Sequence, residues 1–169
     1  PAAAAAAAAP KAAKLSQGQA DFVRTHAAAA REASAQTGIP AEFMISQAAL
    51  ETGWGRKEIA HADGSTSFNL FGIKAGANWK GPVAEVTTTE YVNGKAQKVT
   101  AKFRAYASYA ESFADYARLM KTSPRYQAAV GGAAVGGASG SVAFAQGLQK
   151  AGYATDPAYA DKLSRVINT

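Results

Sequence analysis

The chain has 169 residues, 48% apolar and 18% charged, with 18 Lys+Arg against 12 Asp+Glu for a formal net charge of +6. That length suits one domain with its own core, and no run approaches the roughly 18 consecutive large apolar residues that span a bilayer, so membrane insertion is not expected. With no cysteine and two isolated histidines, His26 and His61, a disulfide scaffold and a thiolate nucleophile are excluded, and no metal or other cofactor is expected.

Alanine accounts for 43 residues, eight of them in the run Ala2 to Ala9, so the core must come from far fewer large side chains. The positive balance favours an anionic partner such as a cell-wall polymer, a lipid surface or nucleic acid. The basic residues are scattered and no zinc-finger or RNP-type signature is present, so nucleic acid is not expected.

Residues 1–14 are almost pure Ala bounded by Pro1 and Pro10, which reads as a linker to a domain beyond this sequence. Residues 15–169 read as one domain. Ser16 and Gln19 form a capping box for a helix that runs to about Gln36 and closes at Gly38. Pro40 sits where a first helical residue is favoured, with Glu42 in the first turn of a second helix that stops near Gly53.

From Asn69 the pattern changes. Val83 to Val92 and Lys95 to Phe103 are rich in Val, Thr and Tyr around Asn93-Gly94, a strong hairpin signal, and with Leu70, Phe71 and Ile73 they make a β-lobe over about 70–104. Helices return at Ser108-Tyr109-Ala110-Glu111, a second capping box, with the stripe Tyr109, Phe113, Tyr116, Ala117, Met120 facing the core. Ser123-Pro124 starts a short helix through Val130. The Gly/Ala-rich stretch 131–140 is expected to be a flexible loop. A helix over Val142 to Ala151 ends at Gly152, and Asp156-Pro157 caps a last one carrying Tyr159, Leu163, Val166 and Ile167 on one face. The expected fold class is α+β, mostly α: a helical lobe and a small β-hairpin lobe with a cleft between them.

Without a thiol, clustered histidines, a Gly-x-Ser-x-Gly elbow or a phosphate-binding glycine pattern, acid/base chemistry falls to carboxylates and tyrosines. Hydrolysis of sugars needs little more. The segment Ile45 to Gly55 places Glu51 in the last turn of an apolar helix. A helix C-terminus carries roughly half a negative charge, and both that charge and apolar burial disfavour the ionised carboxyl. Glu51 is therefore expected to stay protonated near neutral pH and to serve as a general acid.

Four segments in order, Ala48-Ala49-Leu50-Glu51-Thr52-Gly53-Trp54-Gly55, Ser67-Phe68-Asn69-Leu70-Phe71-Gly72-Ile73-Lys74, Tyr106-Ala107-Ser108-Tyr109-Ala110-Glu111-Ser112-Phe113-Ala114-Asp115-Tyr116, and Ala151-Gly152-Tyr153-Ala154-Thr155-Asp156-Pro157-Ala158-Tyr159-Ala160, resemble glycoside hydrolase family 73. The match is strongest with its flagellar members and covers about Leu15 to Ile167. The resemblance implies a lysozyme-like fold. It implies an endo-acting β-N-acetylglucosaminidase that cuts the β-1,4 bond between N-acetylglucosamine and N-acetylmuramic acid in peptidoglycan, with Glu51 as the acid. It further implies a periplasmic site of action, a role in opening the wall for the flagellar rod, and rod proteins as partners through an N-terminal domain. A monomer is expected.

The family carries a second carboxylate on the β-lobe, for which this chain offers Glu85 and Glu90. Strand alternation puts them on opposite faces. Glu90 is favoured because it lies roughly 10 Å from the hairpin tip, where a mobile lobe would carry it over a bound sugar. Whether it acts as base or as nucleophile, or whether the substrate's own acetamido group does the work, stays open at this stage. Tyr153 matches a tyrosine that the family places near the acid, expected to bind the acetamido group or position water. Asn69, Phe71 and Tyr159 are expected to bind substrate, with packing in the core as the favoured alternative for Phe71. Trp54 is read either as a sugar platform or as a wedge in the core.

Overall fold

The computed structural model describes residues 15–169; the expected linker lies outside the described residues. Ser16 caps helix α1 (Gln17–Thr37): its hydroxyl accepts from the Gln19 N–H (3.1 Å) while the Gln19 side chain accepts from the Ser16 N–H (3.0 Å), the reciprocal box expected. Gly38, at φ 78°, turns the chain out of the helix. Pro40 is the cap of α2 (Ala41–Thr52) and not its first residue, because its ψ of 137° is still extended. Phe43 through Ala49 are all buried, so α2 has no solvent stripe and is the central helix of its lobe.

After α2 the chain runs in turns to the hairpin of β1 (Val83–Val92) and β2 (Lys95–Arg104), paired antiparallel from Val83 opposite Arg104 to Val92 opposite Lys95. Asn93 and Gly94 both take positive φ, 52° and 78°, as a two-residue primed turn requires. An isolated bridge between Lys74 and Phe103 lays the 73–75 segment along β2. The lobe is anchored by buried Asp115 of helix α3 (Tyr109–Thr122). Its carboxylate accepts from Tyr106 OH (2.6 Å), Arg104 Nη1 (2.9 Å) and Arg118 Nη2 (2.8 Å), and these contacts hold it below the usual carboxylate range against the cost of burial.

At the start of α3, Ser108 Oγ accepts from the Glu111 N–H (3.2 Å), but the Glu111 carboxylate reaches the Ala107 N–H (3.2 Å) and not that of Ser108. The expected box is thus a one-way cap with its return bond displaced by one residue. The short helix expected from Ser123-Pro124 is a 3-10 turn, Pro124–Tyr126, running into α4 (Gln127–Ala133).

The flexible loop expected over 131–140 is a correction. Those residues end α4 and begin α5 (Gly137–Lys150), leaving 134–136 outside the helices. The physical reason is close packing. A Cβ on Gly132 would lie 2.7 Å from the Ala143 Cβ, and one on Gly147 would lie 2.7 Å from the Ala129 Cα. Glycine costs a helix about 1 kcal/mol relative to alanine, and here that cost is offset by letting two backbones meet over buried Ala129, Ala133 and Ala145. Asp156 Oδ1 then accepts from the Ala158 N–H (2.9 Å) just before α6 (Tyr159–Ile167).

Among the described residues there are six α-helices, and none is long and apolar enough to cross a membrane. The mostly helical α+β arrangement stands as expected. Its core centres on the Phe71 ring, stacked on Tyr116 (centroids 4.0 Å apart) and set edge-on to Phe113 (5.0 Å).

Candidate active site

A cleft of about 920 Å³ lies between the two lobes. Glu51 enters it from the end of α2, Gly72 and Lys74 from the loop beside the sheet, Glu90 from β1, and Tyr153 and Tyr159 from the chain around the start of α6.

Glu51 owes its position to the abrupt stop of α2. Thr52 Oγ1 donates back to the Ala48 carbonyl (2.7 Å) and accepts from the Gly55 N–H (2.9 Å), while Gly53 takes φ 57°. The carboxyl is thereby left on the final turn, facing the cleft. Burial pushes its pKa up to about 7, and a hydrogen bond donated by Tyr159 OH to Oε2 (2.9 Å) opposes that rise. Gly72, at φ 65°, passes so near that a Cβ there would lie 3.0 Å from Glu51 Oε1. Only glycine leaves that oxygen free.

Glu90 lines the same cleft. It pairs with the Lys74 ammonium and accepts from Thr155 Oγ1 (3.2 Å). Thr155 Oγ1 in turn accepts from the Tyr91 N–H (2.9 Å), so the hairpin reaches across to the segment before α6. Glu85 is exposed and is not among the lining residues.

The two tyrosines divide their work. Tyr153 donates to the Phe71 carbonyl (2.5 Å) and lies beside the Tyr159 ring, while Tyr159 is the one bonded to the acid. Tyr153, expected near the acid, lines the same cleft, but the hydroxyl bonded to Glu51 is that of Tyr159.

Three expected substrate contacts do not line the cleft. Asn69 is buried and fully bonded: Nδ2 donates to the carbonyls of Ile73 (2.9 Å) and Arg104 (2.8 Å), and Oδ1 accepts from the N–H groups of Phe71 and Ile73 (both 3.2 Å). It ties a turn and has no atom to spare for a sugar. Phe71 is a core ring. Trp54 packs edge-on against Phe22 (5.8 Å) outside the cleft, which favours its reading as a wedge.

Sequence reasoning missed Gln47, Lys74 and Thr155. Gln47 lies four residues before Glu51 and so shares its helix face, a signal that was present. Lys74 and Thr155 lie in two of the family segments, but they meet Glu90 only through tertiary folding. Among the described residues no group of three or more metal-binding side chains comes together.

The sequence model of the family described as mannosyl-glycoprotein endo-beta-N-acetylglucosaminidase matches residues 27–169. Peptidoglycan hydrolase FlgJ of Escherichia coli K12 is 54% identical over 138 residues, covering 82% of this chain and 42% of that protein. The FlgJ of Salmonella typhimurium is 52% identical over 155 residues, covering 92% and 47%. The chain therefore spans less than half the length of these curated relatives. Among solved structures, a peptidoglycan hydrolase mutant from Sphingomonas sp. A1 superposes with a TM-score of 0.79 at 49% identity, covering 89% of this chain and 93% of that one. A C-terminally truncated glycoside hydrolase domain of Salmonella typhimurium FlgJ gives a TM-score of 0.67 at 49% identity, covering 88% and 95%. With a carboxylic acid set in an interlobe cleft and these matches over most of its length, the chain is a glycoside hydrolase and belongs to the glucosaminidase family, family 73.

Proposed function

We propose that this chain hydrolyses the glycan strands of peptidoglycan as an endo-acting β-N-acetylglucosaminidase, cutting the β-1,4 bond between N-acetylglucosamine and N-acetylmuramic acid. The observation that carries the reading is Glu51, a carboxyl raised to about 7 by burial yet facing an open cleft of about 920 Å³. Below that pH it holds a proton that it can give to a departing glycosidic oxygen.

As the C1–O bond breaks, positive charge builds at the anomeric carbon. Glu90, across the cleft from the acid, is the carboxylate assigned to meet it, either by activating water or by direct attack. Lys74 and Thr155 hold it in the present arrangement. Tyr159 steadies the carboxylate that Glu51 becomes once its proton has gone.

The relatives named peptidoglycan hydrolase support the substrate, and the net charge of +6 favours approach to an anionic wall. The flagellar branch of the resemblance supports a periplasmic role in opening the wall for the rod, with rod proteins as partners.

Digestion of purified peptidoglycan followed by analysis of the new chain ends tests the reaction. Reducing N-acetylglucosamine ends are expected. Anhydro-muramic ends would replace the reading with a lytic transglycosylase, and reducing muramic acid ends with a muramidase. For the second carboxylate, Glu90→Gln is expected to slow wall clearing by on the order of 100-fold, while Glu85→Gln clears at the native rate; the reverse order would overturn the assignment.

A further inference from the structure

Behind Glu51 runs a line of buried polar atoms of which the reaction as described uses only the nearest, Tyr159. Tyr116 on α3 donates from its hydroxyl to Gln47 Oε1 (2.5 Å), Gln47 on α2 donates from Nε2 to Tyr159 OH (3.0 Å), and Tyr159 on α6 donates to Glu51 Oε2 (2.9 Å). Tyr116 and Gln47 have no exposed surface and Tyr159 almost none.

The direction of this line is set at its far end. A phenol has one proton to donate, and among the described residues Gln47 is the only hydrogen-bond partner of the Tyr116 hydroxyl. Were the Gln47 amide turned round, Nε2 would donate to Tyr116 and leave that phenolic proton buried without an acceptor, which is costly in an apolar interior. With Tyr116 donating, Gln47 presents Nε2 to the Tyr159 oxygen. The Tyr159 proton then points to Glu51 Oε2. In a protonated carboxyl the carbonyl oxygen is the stronger acceptor, so the oxygen that accepts from Tyr159 takes the carbonyl role and the proton goes to the other. That leaves Oε1, the oxygen beside Gly72.

We propose that Gln47, oriented by Tyr116, is a positioning residue for the acid: it turns the Tyr159 proton onto Oε2 and so keeps the transferable proton of Glu51 on Oε1. The inference rests on Glu51 being the general acid. In the step itself the O–H bond at Oε1 breaks as the new O–H bond to the glycosidic oxygen forms. The electrons of the C1–O bond leave with that oxygen, and the carboxylate left behind keeps the Tyr159 bond.

The titratable groups packed around the line are phenols. Tyr126 and Tyr153 join Tyr116 and Tyr159, all raised by burial and uncharged at working pH. The charged groups lining the cleft besides Glu51 are Lys57, Glu58, Lys74, Glu90, Arg104, Arg125, Asp156 and Lys162; Arg125 lies over the Tyr126 ring (5.0 Å), and none of them hydrogen-bonds to the relay.

Gln47→Met keeps the length of the side chain and removes its donor. In this variant kcat on a soluble peptidoglycan fragment is expected to fall about tenfold, the size of one well-placed hydrogen bond, with KM unchanged. The Glu51 titration, followed by carbon NMR of its carboxyl, is expected to move upward. In a Tyr159→Phe background the same substitution is expected to add nothing to either change, because its effect travels through Tyr159. Should Gln47→Met not fold, Tyr116→Phe carries the test, with smaller changes in the same direction.

A native titration and kcat in the folded variant, or an effect that adds fully to that of Tyr159→Phe, would overturn the proposal. The titration does not depend on turnover. A Glu51→Gln enzyme that still clears cell wall at the native rate would sink the acid assignment and leave the NMR result to be judged by itself.

Discussion

Glu51→Gln is expected to cost at least two orders of magnitude in the rate of peptidoglycan hydrolysis, the usual scale for removing a general acid. The amide keeps an oxygen for Tyr159 and nearly the same volume, so the change removes the proton and little else. In the native protein the rate is expected to fall as pH rises through about 7, where burial has placed the titration of this carboxyl. The same burial leaves a mark on stability whose sign can be worked out. The folded state holds the Glu51 proton more tightly than the unfolded chain does, so the carboxyl stabilises the fold fully below its ordinary value of 4.5 and loses that contribution as pH rises to about 7. Glutamine does not titrate. The variant is therefore expected to gain on the native protein between those limits and to stay ahead above them, by roughly 3 kcal/mol at most. Urea midpoints of both proteins at pH 4.5 and pH 8 check this, and a pH-independent difference would mean that the carboxyl is not buried as its surroundings require.

How much of this arrangement could be read in the sequence depended on how local its causes were. Glu51 was legible because the helix end, the apolar neighbours and the glycine stop all lie within a few residues of it. Glu90 was legible at one remove, since a two-residue turn fixes the strand register and alternation then separates it from Glu85. The stretch 131–140 was misread because its composition says flexibility when taken alone, and only the partner helix turns the missing side chains into close contact. Tyr153 and Tyr159 lie six residues apart in one motif, and nothing in the sequence said which hydroxyl would reach the acid; that depends on Phe71 offering its carbonyl to the first. Asn69 failed for a related reason. An asparagine next to an aromatic ring resembles a sugar contact, yet one of its four bonds goes to Arg104, thirty-five positions further along the chain.

Asn69→Ala is accordingly expected to be the most damaging single change to stability outside the large apolar core. Its side chain closes the turn from Asn69 to Ile73 and ties it to the end of β2, serving two N–H groups and two carbonyls away from solvent. The Ile73 carbonyl keeps a second donor, the Arg104 N–H (3.0 Å), so its loss is partial. The Phe71 and Ile73 N–H groups lose their acceptor. At about 1–3 kcal/mol for each buried group left unpaired, a loss of roughly 4 kcal/mol is expected, read as a lower urea midpoint with an unchanged slope. Activity should fall further than stability alone accounts for. The turn sets Gly72 against Glu51 Oε1 and the Phe71 carbonyl against Tyr153, so loosening it crowds the oxygen assigned to donate the proton. A variant that loses less than about 1 kcal/mol would show that the bridge between Lys74 and Phe103 holds the turn without Asn69. A folded variant with native kcat would show that the acid does not depend on where Gly72 lies.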